Sequence, residues 1–225
     1  MQEGSIKRYD RQVLYWGDDF QRILERSSVF IAGIGGLGCI VAEVLARAGV
    51  GFIHICDNGI IDEPDLNRQT FYTEADLGKK KVDATLKRLL EINSSISVFA
   101  YDYRIEVGCP FDYSGSCVID CLDNITSRKI LFELIKEDTY YIHGGIDAFT
   151  GQVITLLKGK TIDFSELFEG VNDKKNIPVT PEVVHILSGA ICREFFNILK
   201  GSPKLLERFL IMDFENFEWS FLELY

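Results

Sequence analysis

The chain reads as an α/β protein: a Rossmann-like, mostly parallel sheet flanked by helices, with antiparallel strands toward the C-terminus. Three observations predict this. Residues 29–57 run apolar strand, glycine turn, helix, second apolar strand. Residues 96–100, after a helical pattern that runs to Ile92, and 117–120 are further short apolar runs that read as buried strands of a mostly parallel sheet. Residues 209–225 alternate as a terminal hairpin turning near Glu215 and Asn216. At 225 residues the chain can hold one substantial core, and a single unit over 1–225 is expected. Its parts are an N-terminal arm (1–27), a nucleotide-binding core (28–158), a mobile crossover stretch (159–178), and a C-terminal helix with hairpin (179–225).

The core opens on its most informative stretch. After the strand at 29–32, Gly33, Gly35, Gly36 and Gly38 let the backbone turn where a Cβ would obstruct a phosphate. Residues 37–48 then carry apolar side chains at helical spacing. The free amides of the first helical turn, with the positive end of the dipole, face back onto the glycines and make an anion site. Residues 49–51 end that helix. The strand at 52–56 closes on Asp57, about 20 residues past the fingerprint, where a ribose-binding acid belongs. A nucleotide is the expected ligand, and the turn by itself fits NAD as well as ATP.

Upstream, Arg8 and Arg11 flank Tyr9 and Asp10 in a basic, aromatic arm leading into an amphipathic helix. Such an arm suits a solvated helix end or one that reaches a neighbouring subunit's phosphate site. Downstream of Asp57 lies a long, charged loop, uncommon in a compact domain unless it binds something, which makes Asn67, Arg68 and Gln69 candidate ligand contacts. Lys79, Lys80 and Lys81 sit at a helix start, where the dipole disfavours cations, and this placement implies an anion nearby. The strands at 96–100 and 117–120 both read as buried. Asp120 to Asn124 follow the second of them, ahead of a helix at 126–136 that Asn124 or Thr126 can cap. Asp123 is either a further cap or a Mg²⁺ ligand. Strands at 140–145 and 152–158 precede the crossover stretch, and Pro181 opens a helix running to Leu199, stopped by Gly201 and Pro203. His54, His143 and His185 read as ordinary core or edge positions.

Composition narrows the function. A formal net charge of −10 argues against a nucleic-acid partner. No apolar run approaches the roughly 20 residues of a membrane helix. The six cysteines, at 39, 56, 109, 117, 121 and 192, form no C-x-x-C pair and follow no secretory signal, so buried reduced thiols in a cytoplasmic protein are expected.

In order and spacing, RYDRQ, GIGGLG, Asp57, LNRQ, LGKKKV and DCLDN resemble the MoeB, ThiF and HesA family of adenylyltransferases, relatives of ubiquitin-activating enzymes. The resemblance implies a homodimer that uses Mg·ATP to adenylate the C-terminal glycine of a small ubiquitin-like sulfur-carrier protein ending in Gly-Gly, releasing pyrophosphate. It implies that the loop of Gly33, Gly35, Gly36 and Gly38 packs on the nucleotide, with Asn67, Gln69 and Asn124 beside it. Asp57 would hold the ribose, Arg68 and Lys81 the phosphates, and Asp123 the Mg²⁺. Arg11 would be a finger supplied by the other subunit. The nucleophile is a carboxylate already ionised at neutral pH, so no general base is needed. Catalysis then rests on in-line placement and neutralisation of phosphate charge.

The chain departs from the family pattern in four ways. Gly59 stands where an Asp is common, and Asp65 where an Asn is common. The zinc-binding C-x-x-C pairs are absent, so zinc is not expected. No cysteine lies between 121 and 192 for thioester or persulfide chemistry. Asp65 is expected to face Lys81, Arg68 or the metal, compensating for the acid missing at Gly59. The rival readings are a catalytically silent carrier- or partner-binding module and an NAD-dependent oxidoreductase, which would leave Arg11, Arg68, Lys81 and Asp123 without a role.

Overall fold

The computed structural model describes residues 4–173 and 177–224. Its centre is an eight-stranded sheet in the order β3-β2-β1-β4-β5-β6-β7-β8. The strands are β1 (Ser28–Ala32), β2 (Phe52–Cys56), β3 (Ser97–Tyr101), β4 (Cys117–Asp120), β5 (Tyr140–Asp147), β6 (Thr150–Leu157), β7 (Arg208–Asp213) and β8 (Glu218–Glu223). From β3 to β5 neighbours run parallel, and from β5 to β8 antiparallel. The mixed sheet expected from the sequence is the one observed. The expectation that residues 96–100 are buried is corrected: β3 is an outer strand, paired only with β2 among the described residues, and Phe99 is 43% exposed. Central β4 is buried along its whole length.

Alternating side chains of β1 go to opposite layers, as strand geometry requires. Val29 and Ile31 face α1 (Gly4–Arg26), α2 (Gly36–Ala48), α3 (Lys81–Ile92) and α6 (Pro181–Leu199). Phe30 and Ala32 face α4 (Ile125–Leu134) and α5 (Phe164–Leu167), with Ile105 and Tyr113 from the loop before β4. The bounds of α6 are those that the proline and glycine signals mark. Inside it Glu194, only 1% exposed, accepts the N–H groups of Lys204 and Leu205 through Oε1, both at 2.7 Å. A second carboxylate oxygen takes Asn197 Nδ2 at 3.0 Å, so a buried charge ties α6 to the segment that leads to β7.

Two further expectations are revised. The N-terminal arm is helical from Gly4 and bends at Gly17 (φ 79°). It is also pinned to its own chain: Tyr9 is buried and accepts Asn93 Nδ2 at 2.8 Å, and Arg8 donates to Ile92 O at 2.6 Å. The stretch 159–178, expected to be mobile, is anchored in part by Phe164, which is fully buried and stacks on Phe168 at 4.5 Å. Residues 174–176 of that stretch lie outside the described residues.

The functional edge is set where β1 has β2 on one side and β4 on the other, the topological switch point of such sheets. There Gly33 (φ 87°) turns the chain into α2, and a Cβ on it would lie 2.7 Å from Cys121 O. Gly38 allows the tighter approach: a Cβ would stand 1.9 Å from Gly33 O. Gly38→Ala should therefore cost roughly 3 kcal/mol or more and lower Tm by about 10 °C in thermal unfolding. An unchanged Tm would mean that the turn relaxes freely.

Candidate functional site

A cavity of about 920 Å³ opens at the C-terminal ends of β1, β2 and β4. That is the upper end of the roughly 300–1,000 Å³ usual for ligand sites. Gly33, Gly35 and Gly36 line it, as do Asp57, Gly59, Asp65, Arg68, Gln69, Lys81, Asp123 and Asn124. Sequence positions 33 to 124 thus converge on one space. Gly38 and Asn67 do not line it: Gly38 serves the close packing of turn on helix, and Asn67 is exposed, its Oδ1 taken by Arg68 Nη1 at 2.8 Å. Arg11 is exposed on α1 and is not among the residues lining its own chain's cavity.

Asp57 is held from both sides. Its Oδ2 accepts the Ile34 N–H at 2.8 Å, and its Oδ1 accepts the Gly59 N–H at 2.6 Å. Each oxygen keeps a lone pair for a ligand hydroxyl. Arg68 is steadied by Pro64 O at 2.8 Å, and its stem lies beside Gly36.

The lysine run resolves into three different ion pairs. Lys79 meets Asp76 at 2.9 Å, Lys80 meets Asp102 at 3.2 Å, and Lys81 meets Asp65 at 3.1 Å. The expectation of an anion near these lysines is thus met first by the chain's own carboxylates, and of the three only Lys81 lines the cavity. Asp65 also accepts the Asp62 N–H at 3.2 Å and a bond from Gln69 Nε2. Since Nε2 is committed, the Gln69 amide is fixed with its buried Oε1 free of any partner among the described residues. A Cβ on Gly59 would stand 2.9 Å from Asp57 Oδ1 and 3.2 Å from Lys81 Cδ.

Asn124 caps α4, its Oδ1 accepting the Ser127 N–H at 2.8 Å, so Asp123 is not the cap. The helix begins at Ile125, one residue before the expected start. Asp173 from the crossover takes the Ile125 N–H and the Thr126 hydroxyl, at 3.0 Å for the latter. Asp123 is left exposed at the cavity edge, its Oδ1 accepting Asn124 Nδ2 at 3.1 Å.

Beneath this edge sits a network that the sequence reading missed. Asp120 and His143, both fully buried, are register partners on β4 and β5. His143 Nδ1 donates to Asp120 Oδ2 at 2.7 Å. Burial opposes the Asp120 charge most strongly, yet Arg128 and His143 together hold its carboxyl below the usual range. Burial, helped by Arg128, pushes the His143 pKa down, so the ring is neutral at pH 7. Among the described residues no cluster of three or more His, Cys, Asp or Glu side chains could hold a metal by itself.

A family model described as the ThiF family matches residues 9–225. A probable molybdopterin-synthase adenylyltransferase of Porphyra purpurea is 33% identical over 205 residues, covering 85% of this chain and 53% of that protein. The sulfur carrier protein ThiS adenylyltransferase of Bacillus subtilis is 33% identical over 161 residues, covering 68% and 48%. The chain thus spans about half the length of these curated relatives. The crystal structure of E. coli MccB with MccA shares the fold at a TM-score of 0.86 and 20% identity, over 99% of this chain and 72% of that one.

The Asp65 to Lys81 pair yields a test. Without the Asp65 carboxylate, Lys81 loses the ion pair that it makes at 3.1 Å. Asp65→Asn should leave ATP affinity unchanged or lower it, and raise the Mg²⁺ concentration giving half-maximal binding in calorimetry. Tighter ATP binding at every Mg²⁺ level would show instead that Asp65 opposes the ligand.

Proposed function

The chain belongs to the ThiF family, and from that premise we propose that it adenylates the C-terminal glycine of a small ubiquitin-like sulfur-carrier protein. The observation that carries this reading is the convergence of the glycine turn, Asp57, Arg68, Lys81 and Asp123 on one cavity. ATP lies with its phosphates on the turn at the α2 N-terminus and its ribose hydroxyls on Asp57. Arg68 and Lys81 neutralise phosphate charge. Mg²⁺ suits Asp123, because this hard cation uses one or two carboxylates and otherwise waters and substrate phosphates. When bound, it would supply further charge neutralisation at the phosphates.

The carrier's terminal carboxylate attacks the α-phosphorus, a P–O bond forms, and pyrophosphate leaves. Residues here need only align and neutralise, which agrees with a site of arginine, lysine, backbone amides and no general base. The reaction ends at the acyl-adenylate. Cys56 and Cys121 line the cavity, but burial pushes Cys56 up to about 12 and Cys121 well above the ordinary thiol range. Neither is a thiolate nucleophile at neutral pH. The working unit is a cytoplasmic homodimer, in which Arg11 of one subunit completes the cavity of the other.

Two experiments test this reading. ATP–pyrophosphate exchange should rise above background with at least one sulfur carrier of the source organism that ends in Gly-Gly. Background rates with all of them would favour a silent binding module. Arg11→Ala should lose about 10³-fold in turnover without loss of fold, as for other arginine fingers. Mixing Arg11→Ala with Asp123→Ala subunits should recover part of the activity, because one hybrid site keeps both residues. No recovery in demonstrated heterodimers would refute the trans assignment.

A further inference from the structure

Leu122, the residue before Asp123, is gripped by both of its backbone polar groups. Asp120 Oδ1 accepts the Leu122 N–H at 3.0 Å, and Arg128 Nη2 donates to Leu122 O. The same Nη2 reaches Gly144 O at 3.2 Å, so Arg128 ties the loop to β5. Asp120 is in turn fixed by the Nδ1–H of His143, whose ring is wedged edge-on against Phe164 and Phe168 at 5.3 and 5.1 Å.

A buried charge cluster is a poor stabiliser, because desolvation offsets its attraction and apolar residues of similar volume often replace it without loss. The geometry is also not the one that maximises the ion pair. Arg128 Nε stays 3.6 Å from Asp120 Oδ2 and has no hydrogen-bond partner among the described residues, while Nη2 goes to the two backbone carbonyls. What an apolar trio could not do is hold the N–H and the C=O of Leu122 together. We infer that Asp120, Arg128 and His143 are a positioning unit for Asp123, fixing where its carboxylate stands toward the metal–nucleotide. The inference rests on the adenylation reading.

Partners that orient a metal-binding group typically change metal affinity by 10–100-fold when lost. His143→Leu removes the donor to Asp120, and Arg128→Lys, whose ammonium ends one bond short of the Nη2 position, loses its reach to the two carbonyls. Both should raise the Mg²⁺ concentration for half-maximal binding of a non-hydrolysable ATP analogue by about tenfold. For His143→Leu, at a position that does not line the cavity, metal-free binding of the analogue should stay within about twofold. His143→Asn, whose amide can stand in for Nδ1–H, should stay within about threefold of the unsubstituted protein. An unshifted Mg²⁺ midpoint in folded variants, an equal loss with and without Mg²⁺, or an Asn variant as poor as Leu would overturn the positioning role. In the unsubstituted protein the Leu122 amide should exchange with solvent as slowly as the amides of β4, and fast exchange would overturn the role without any variant. If the unsubstituted protein fails to bind the analogue at any Mg²⁺ level, it is the nucleotide reading that falls.

Discussion

The contact between the carbonyl of Gly33 and the bare Cα of Gly38 fixes the start of α2, and the rest of the site is placed relative to it. With 1.9 Å between a notional Cβ and that oxygen, the helix can lie this close to the turn only without a side chain there. The amides of its first turn therefore face the space between the ends of β1 and β4. The turn's other wall is close as well, since Gly33 abuts the Cys121 carbonyl, which begins the loop carrying Asp123. Asp57 then bridges the ends of β1 and β2 through Ile34 and Gly59. Three strand ends are thus locked to one another by close backbone contacts and one carboxylate, and the side chains at the cavity inherit that rigidity.

Within this frame the charges alternate. Lys81 is met by Asp65, which is held by Gln69, and Arg128 is met by Asp120, which is held by His143. The first pair lines the cavity wall, and of the second Arg128 lines it too while Asp120 lies buried beneath. Each cation is partly neutralised before any ligand arrives, so the field at the phosphate end is softer than a count of lysines and arginines suggests.

The local signals were legible in the sequence. Asp57, the glycine turn, the Asn124 cap and the bounds of α6 all depend on residues within a few positions of one another, and each is found where its pattern indicates. Pairings across the sheet were not legible. Asp120 and His143 are 23 positions apart and meet only because β4 and β5 run parallel in one register. His143 by itself looks like any histidine in an apolar strand. Glu194 gave no sign of burial, since its partners are backbone amides about ten residues downstream. The lysine run was misread in part because helix-dipole reasoning points to an anion without saying whether it belongs to a ligand or to the protein.

Gly59 and Asp65 also constrain how such a site can change over generations. A side chain at 59 would be pressed between the Asp57 carboxylate and the stem of Lys81, while Asp65 holds the head of that same lysine. A lineage that gained an acid at 59 first would crowd three carboxylates around one lysine. One that lost Asp65 first would leave the lysine without its ion pair. Each single step passes through a poorer site than either end state, so the two positions are expected to change hands together, and an ancestor carrying only one of the exchanges would be under pressure to complete or undo it.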